Sequence, residues 1–355
     1  MTILEFFRDY ILVMLYDSFI SLALALIIIY LFRIKDTTIR ILFLFLPLIK
    51  PFFVITEDLN YNNYYFDSRP GVMGFRIVSP NTIFERIDHI QNSPFNDSTI
   101  DSRIIAVISL SILIILIARW LNLYLFYRRL SHDEIVTKND VPDIFLIIDN
   151  FISRINIPGP QITLTHRNFY SPFVIGIKRS MLVLSPKLLD SLSFEEKEVL
   201  IKHELAHIKR KDNLISWVSL ILKDLLFFNP FSYIAYYLIK IEQEKGCDKI
   251  ICENSHLTPK EIAKSTITLI LKIKNLNSAQ GKSSAVDLAS NFNMFQRINY
   301  RVIDNRIKNI LIMKNTNLKM NRYLKAFYLL LFLFLLVAQI LLVVKINDSS
   351  FIFLR

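Results

Sequence analysis

Long apolar runs alternate with polar stretches along this chain, and the lengths of the runs set the first expectation. Residues 11–32, 38–56, 104–127 and 324–345 each come close to the 20 or so residues that a helix needs to cross a bilayer. The second run is the weakest, because Pro47, Lys50 and Pro51 fall inside it, and it is expected to be short or kinked. The first is not read as a cleaved leader: Met1 to Tyr10 carries Arg8 against Glu5 and Asp9, and no small-residue cleavage site follows.

Between the third and fourth runs the pattern changes. Pro142 to Arg154 has a helical period, and Asn156 to Pro160 reads as a loop. Gln161–Thr165, Pro172–Ile177 and Ser180–Leu184 read as short strands, with Lys178 and Arg179 in the turn between the last two. Ser193 and Glu196 form a capping box that opens a helix through Val199, Leu200 and Ile201. That helix ends at Lys209, Arg210 and Lys211, cations that suit a helix C-terminus. Residues 214–228 are strongly apolar but too short for a span. They contain Lys223 and Asp224, stop at Asn229-Pro230, and read as a buried or membrane-apposed helix. Residues 275–295 are polar and rich in Ser and Asn, and read as a loop. The order of elements is α+β.

Composition supports the membrane reading, with 53% hydrophobic residues and a net charge of +11. The charge is unevenly placed. Arg33, Lys35 and Arg40 follow the first run, Arg128 and Arg129 follow the third, and Lys319, Arg322 and Lys325 precede the fourth. These ends are expected on the cytoplasmic side. Residues 57–103 carry seven acids against four arginines and are expected outside, as are both termini. Tyr61, Tyr64 and Tyr65 in that loop read as interfacial residues. Asp17 and Arg119 lie inside spans at different depths, so they are not expected to pair. Asp17 is expected to face another helix and Arg119 to reach toward the inner surface. The expected division is a membrane region over 1–127, a cytoplasmic domain over 128–322, and a fourth span with a short external tail over 323–355. No basic recognition element stands out, so nucleic acid is not an expected partner. Both cysteines fall on the reducing side, and no disulfide is expected.

Chemistry concentrates in His203-Glu204-Leu205-Ala206-His207. Residues four apart lie one turn above each other on one helical face. Two imidazoles so placed can bind one zinc ion, and Glu204 beside them can take a proton from a water that the zinc activates. A catalytic zinc needs a third protein ligand. Glu242 and Glu244 compete for that place, with Cys247 as a rival. Glu244 and Asp248 share a helical face and Glu242 points elsewhere, so Glu244 is the expected ligand. Asp248 is expected to hold the outer N–H of a zinc-bound histidine. Cys247 has no partner at metal-site spacing, since Cys252 is five residues on. Arg297 and Tyr300 are candidates for a transition-state donor that nothing ranks further. The backbone of Phe173, Val174, Ile175 and Gly176 is an expected edge for an extended peptide substrate.

His203–His207 followed by Asp212, then Asn229-Pro230-Phe231, then Glu244-x-x-Cys247-Asp248, resembles the BlaR/MecR-type membrane metallopeptidases. Ser171-Pro172-Phe173-Val174-Ile175-Gly176 and Leu182-Val183-Leu184-Ser185-Pro186 also look like that family's strands before the zinc helix. The likeness is strongest over about residues 104–270. It implies a gluzincin-like zinc metallopeptidase domain embedded among about four transmembrane helices of the bacterial cytoplasmic membrane. It also implies one zinc per chain and regulatory cleavage of a cytoplasmic repressor-like protein or of the chain itself, with the loop at 275–295 as the self-cleavage or gating segment. The expected partners are the protein substrate, the lipid bilayer and, as a further candidate, a second copy of the chain. Beta-lactam-sensing members carry an external penicillin-binding domain after the last span. Here ten residues follow Lys345, so sensing through such a domain is not expected. HtpX-like membrane proteases share the Glu-x-x-x-Asp arrangement, which leaves quality-control proteolysis as an alternative. A non-catalytic zinc-bearing signalling scaffold is the third reading.

Overall fold

A computed structural model describes residues 11–58, 98–130, 133–166, 170–176, 179–278, 300–312 and 320–341. In chain order its elements begin with helices α1 (Val13–Leu31), α2 (Thr37–Leu44), α3 (Leu46–Asp58) and α4 (Ser98–Leu130). Then come β1 (Glu134–Ile135), α5 (Pro142–Ile155), β2 (Gln161–Leu164), β3 (Phe173–Ile175) and β4 (Met181–Leu184). Helices α6 (Pro186–Ser191), α7 (Phe194–Arg210), α8 (Asp212–Leu225), α9 (Pro230–Asn254), α10 (Pro259–Ser278), α11 (Tyr300–Ile312) and α12 (Arg322–Leu341) follow. Val13–Leu31, Ala106–Leu130 and Arg322–Gln339 are long and apolar enough to cross a membrane. The run at 38–56, expected as one span, is instead divided between α2 and α3, which have 8 and 13 residues. Pro47 explains the break. Its ring cannot follow a helical residue 43 without clashing, but it is tolerated in the first turn of a new helix.

The chain divides into two compact units. The first comprises residues up to 113, residues 222–237 and residues from 320 onward. Here α1 packs on α3, and α12 packs on α2 and α3. Pro51 inside α3 has no N–H, so the carbonyl of Pro47 loses its helical donor. Ser18 Oγ donates to that carbonyl at 3.2 Å, and Asn229 Nδ2 donates to Ser18 Oγ at 2.6 Å. A polar backbone group that would be orphaned among apolar helices is thereby satisfied. Asp17 does face another helix: its carboxylate pairs with Lys50 Nζ at 3.1 Å, both buried. The charges flagged in 214–228 also find partners. Lys223 pairs with Asp224 at 2.8 Å and lies over the rings of Tyr233 and Tyr236.

The second unit comprises residues 114–221 and 238–319. Its sheet has the order β1-β2-β4-β3, with β2 and β4 parallel and the outer pairs antiparallel. Val174 lies opposite Leu182, and among the described residues β3 pairs with no strand on its other side. The sheet buries Ile162, Val174, Leu182 and Leu184 against Ile144, Ile147, Ile148, Phe151 and Ile155 of α5 and Ile201 and Leu205 of α7. A second core places Val199 and Leu200 of α7 with Ile251, Ile262, Leu269, Ile273 and Ile310. Helix α7 is therefore covered on two faces, as its run of eight consecutive buried residues from Val199 to Ala206 requires. Helix α10 continues through Asn275 to Ser278, so the first part of the expected loop is helical. The rest of that loop, most of 57–103 and the tail after 341 lie outside the described residues.

Candidate metal centre

Helix α7 sets the site. Ser193 Oγ accepts from the Glu196 N–H, and Glu196 returns a bond to the Ser193 N–H at 2.9 Å, which fixes the first turn. Lys211 closes the helix in a left-handed conformation with φ +57°. His203 and His207 then project from one face, with ring centroids 4.9 Å apart. His203, Glu204 and Glu244 are 4%, 4% and 9% exposed, so the cluster is buried, with His207 on its more open side.

The Glu244 carboxylate, on α9, reaches both rings. Its Oε2 is 3.1 Å from His203 Nε2, and its Oε1 is 3.5 Å from His207 Nε2. Donors in a tetrahedral shell at 2.0–2.1 Å from zinc stand about 3.3 Å from one another. The three side chains thus fit a small divalent ion, with two imidazole nitrogens and one carboxylate as its donors. A second set, His207, Asp212 and Cys247, also converges. It uses the other nitrogen of the same ring. His207 Nδ1 lies 2.8 Å from Asp212 Oδ2, the length of a hydrogen bond, and 3.2 Å from Cys247 Sγ. Burial pushes the Cys247 thiol up to about 12, which keeps it protonated. Asp212 therefore fixes the His207 tautomer so that Nε2 offers its lone pair. Arg210 Nε in turn holds both Asp212 oxygens, at 3.2 and 3.3 Å. Gly246 makes room for that guanidinium, since a Cβ there would stand 2.0 Å from Arg210 Nη1. Gln243 Nε2 donates to the Asp212 carbonyl at 3.1 Å, and Lys240 Nζ donates to Ser216 Oγ in the same polar layer. Burial lowers the Lys240 pKa to about 8.

Asp248 stands where its shared face with Glu244 predicts. Its Oδ1 is 3.5 Å from His203 Nδ1, but its shortest bonds, both 2.7 Å, go to Arg306 on α11. Arg306 Nη1 also lies 2.9 Å from Glu244 Oε2. Burial works against charge on Glu244, yet Arg306 and His203 hold its carboxyl well below the usual range. Glu204 goes the other way, since burial raises it above an ordinary glutamate despite the pull of both histidines. Glu242 points away from the cluster and pairs with Lys245 at 2.7 Å.

Sequence reasoning missed Arg306. A signal was present: Ile303, Ile307 and Ile310 mark one face of α11, and Arg306 is a cation on that face. Asp212 entered only through the family likeness, with no role attached. Arg297 and the loop before it lie outside the described residues, and Tyr300 opens α11. The segment Phe173–Gly176 forms the sheet edge on which α7 packs. Val174 is turned into the core, so only its backbone faces outward, while Phe173 rests 6.0 Å from the Tyr127 ring. Gly176, the last residue of that expected edge, has φ +90°, and its carbonyl accepts from Asn213 Nδ2 at 3.0 Å. A Cβ there would stand 2.1 Å from the Arg179 oxygen, so the turn that follows requires glycine at this position.

The family described as BlaR1 peptidase M56 matches residues 38–300, which is most of the chain and includes α7, Glu244 and Asp248. This chain belongs to the M56 family. Relatives of this M56 member agree. The methicillin resistance mecR1 protein of Staphylococcus aureus is 29% identical over 154 residues, 42% of this chain and 25% of the relative. The regulatory protein BlaR1 of Bacillus licheniformis is 31% identical over 119 residues, 32% of this chain and 20% of the relative. A protease HtpX homolog of Gemmatimonas aurantiaca is 26% identical over 117 residues, 31% of this chain and 42% of the relative. The match to the mecR1 protein thus spans about a quarter of that relative's length. Arg306 lies beyond the matched residues.

Proposed function

We propose that this M56 member is an integral-membrane zinc endopeptidase with a gluzincin-like domain facing the cytoplasm, at about residues 128–322. Four passes and external termini complete that reading, with α2 and α3 together making one short, broken pass. The convergence of His203 Nε2, His207 Nε2 and the Glu244 carboxylate beside a buried Glu204 carries it. Bound zinc would supply Lewis acidity and bring the pKa of water at the metal to about 7. The chain's own residues do the rest. Glu204, raised by burial, takes the proton of the attacking water and returns it to the leaving amine. Asp212 holds His207 and Asp248 stands beside His203, so both rings keep their Nε2 lone pairs toward the metal. The open side of β3 pairs with an extended substrate backbone.

The substrate is proposed to be a cytoplasmic regulator or the chain itself, by analogy with relatives named as regulatory and resistance proteins. The likeness to a protease HtpX homolog favours a second reading, degradation of damaged membrane proteins. A Glu204→Gln variant that carries a photo-crosslinker near β3 separates them. It should retain one zinc per chain, lose cleavage, and trap one soluble regulator under the first reading or many membrane proteins under the second. Cleavage at the wild-type rate in this variant would remove Glu204 from the chemistry and the proposal with it.

A further inference from the structure

Arg306 contacts both of the acids that α9 brings beside the histidines, Asp248 and Glu244. Its Nε and Nη2 grip Asp248 Oδ2 and Oδ1, each at 2.7 Å. Its Nη1 is 2.9 Å from Glu244 Oε2. The residue is 6% exposed, so the guanidinium has left water to make these contacts. A two-toothed grip fixes the plane of a carboxylate as well as its position. Asp248 is thereby held with Oδ1 toward His203 Nδ1, while Glu244 is held from behind with its other oxygen free to face His207.

Charge gives the arrangement its second purpose. Three buried carboxylates, Glu204, Glu244 and Asp248, crowd two imidazoles. A dication among them leaves one negative charge uncompensated, and Arg306 supplies the cation that neutralises it. Lysine carries the same charge but lacks the planar fork.

We infer that Arg306 is a positioning residue of the metal centre, supplied by α11, which orients Asp248 and Glu244 toward the two histidines. The inference rests on the zinc-peptidase reading above. The full chain, purified in detergent, provides the test. Zinc dissociation constants are measured by competition with a chromophoric chelator for the wild type, Arg306→Ala, Arg306→Lys and Glu204→Gln, with and without methylguanidinium. Cleavage is followed in parallel to separate kcat from KM. Arg306→Ala is expected to bind zinc about 10–100-fold more weakly, with kcat falling and KM little changed. Arg306→Lys should fall between it and the wild type, and methylguanidinium should restore Arg306→Ala toward wild-type affinity. Wild-type zinc affinity in Arg306→Ala overturns the inference. So does a loss that neither methylguanidinium nor the lysine variant relieves, because that is the behaviour of a merely structural bridge. If Arg306→Ala does not accumulate, Arg306→Lys decides alone: an intermediate affinity sustains the inference and wild-type affinity overturns it. Glu204→Gln reports on the underlying reading separately, since it should bind zinc like the wild type while cleaving nothing. Absence of zinc from both it and the wild type would sink the metal-centre reading itself and Arg306's role with it.

Discussion

Asp212 and Glu204 show how two acids near one pair of histidines are driven to different work. Asp212 is buried and receives His207 Nδ1 and the Arg210 guanidinium, so its side chain is held in one orientation. Replacing it with Asn leaves the shape nearly unchanged but removes the charge that fixes the ring. Zinc affinity in Asp212→Asn should drop about 10–100-fold, measurable by chelator competition. Glu204 has no such guanidinium grip, and burial lifts its pKa above the ordinary 4.5. A base must be deprotonated to act, so activity is absent below that raised pKa and appears as pH rises through it. The acid limb of kcat/KM should therefore lie above pH 4.5. A limb at or below that value would show that burial does not raise Glu204. The local spacing of His203, Glu204 and His207 made these residues visible in the sequence, because one helical turn is a short-range rule. Glu244 and Asp248 followed from the same rule. Arg306 did not, because its contact with Asp248 crosses 58 residues and no local period predicts where α11 docks.

At the scale of elements, α7 is over-determined. Its capping box, its cationic last turn and its two buried faces all specify the same 17-residue helix. Ser193→Ala removes one cap bond and should cost about 1 kcal/mol, read as a shift in thermal unfolding. Leu205, fully buried between α5 and the sheet, should cost about 2–5 kcal/mol as Leu205→Ala, with loss of metal binding as the helix loosens. The strands were legible from alternation and bounding turns, to within a residue or two. The two-residue β1 was not, because Glu134 and Ile135 are both exposed and leave no pattern. The break between α2 and α3 was announced by its prolines. The remedy for Pro51, a hydroxyl from α1, could not be read without the packing.

At the scale of the molecule, polar contacts tie the first unit's helices together. The Asp17–Lys50 pair joins α1 to α3, and Ser21 Oγ donates to Gln339 Oε1 on α12 at 3.1 Å. Removing one member of a buried pair strands the other. Asp17→Asn should destabilise the protein by about 3–5 kcal/mol, and Asp17→Asn with Lys50→Met should recover most of that. Thermal melts in detergent compare the two. Equal melts for the single and double variants would mean that the pair carries no such energy.

The brevity of β3 has a consequence for how a peptidase of this kind chooses its victims. On the substrate pairing proposed above, three residues offer only two or three ladder bonds to a guest backbone, each contributing about 0.5–1.5 kcal/mol net. So small a handhold cannot by itself tell one polypeptide from another. On that proposal discrimination falls to encounter: a protein brought repeatedly to the same patch of lipid meets β3 at a far higher local concentration than one adrift in the cytosol.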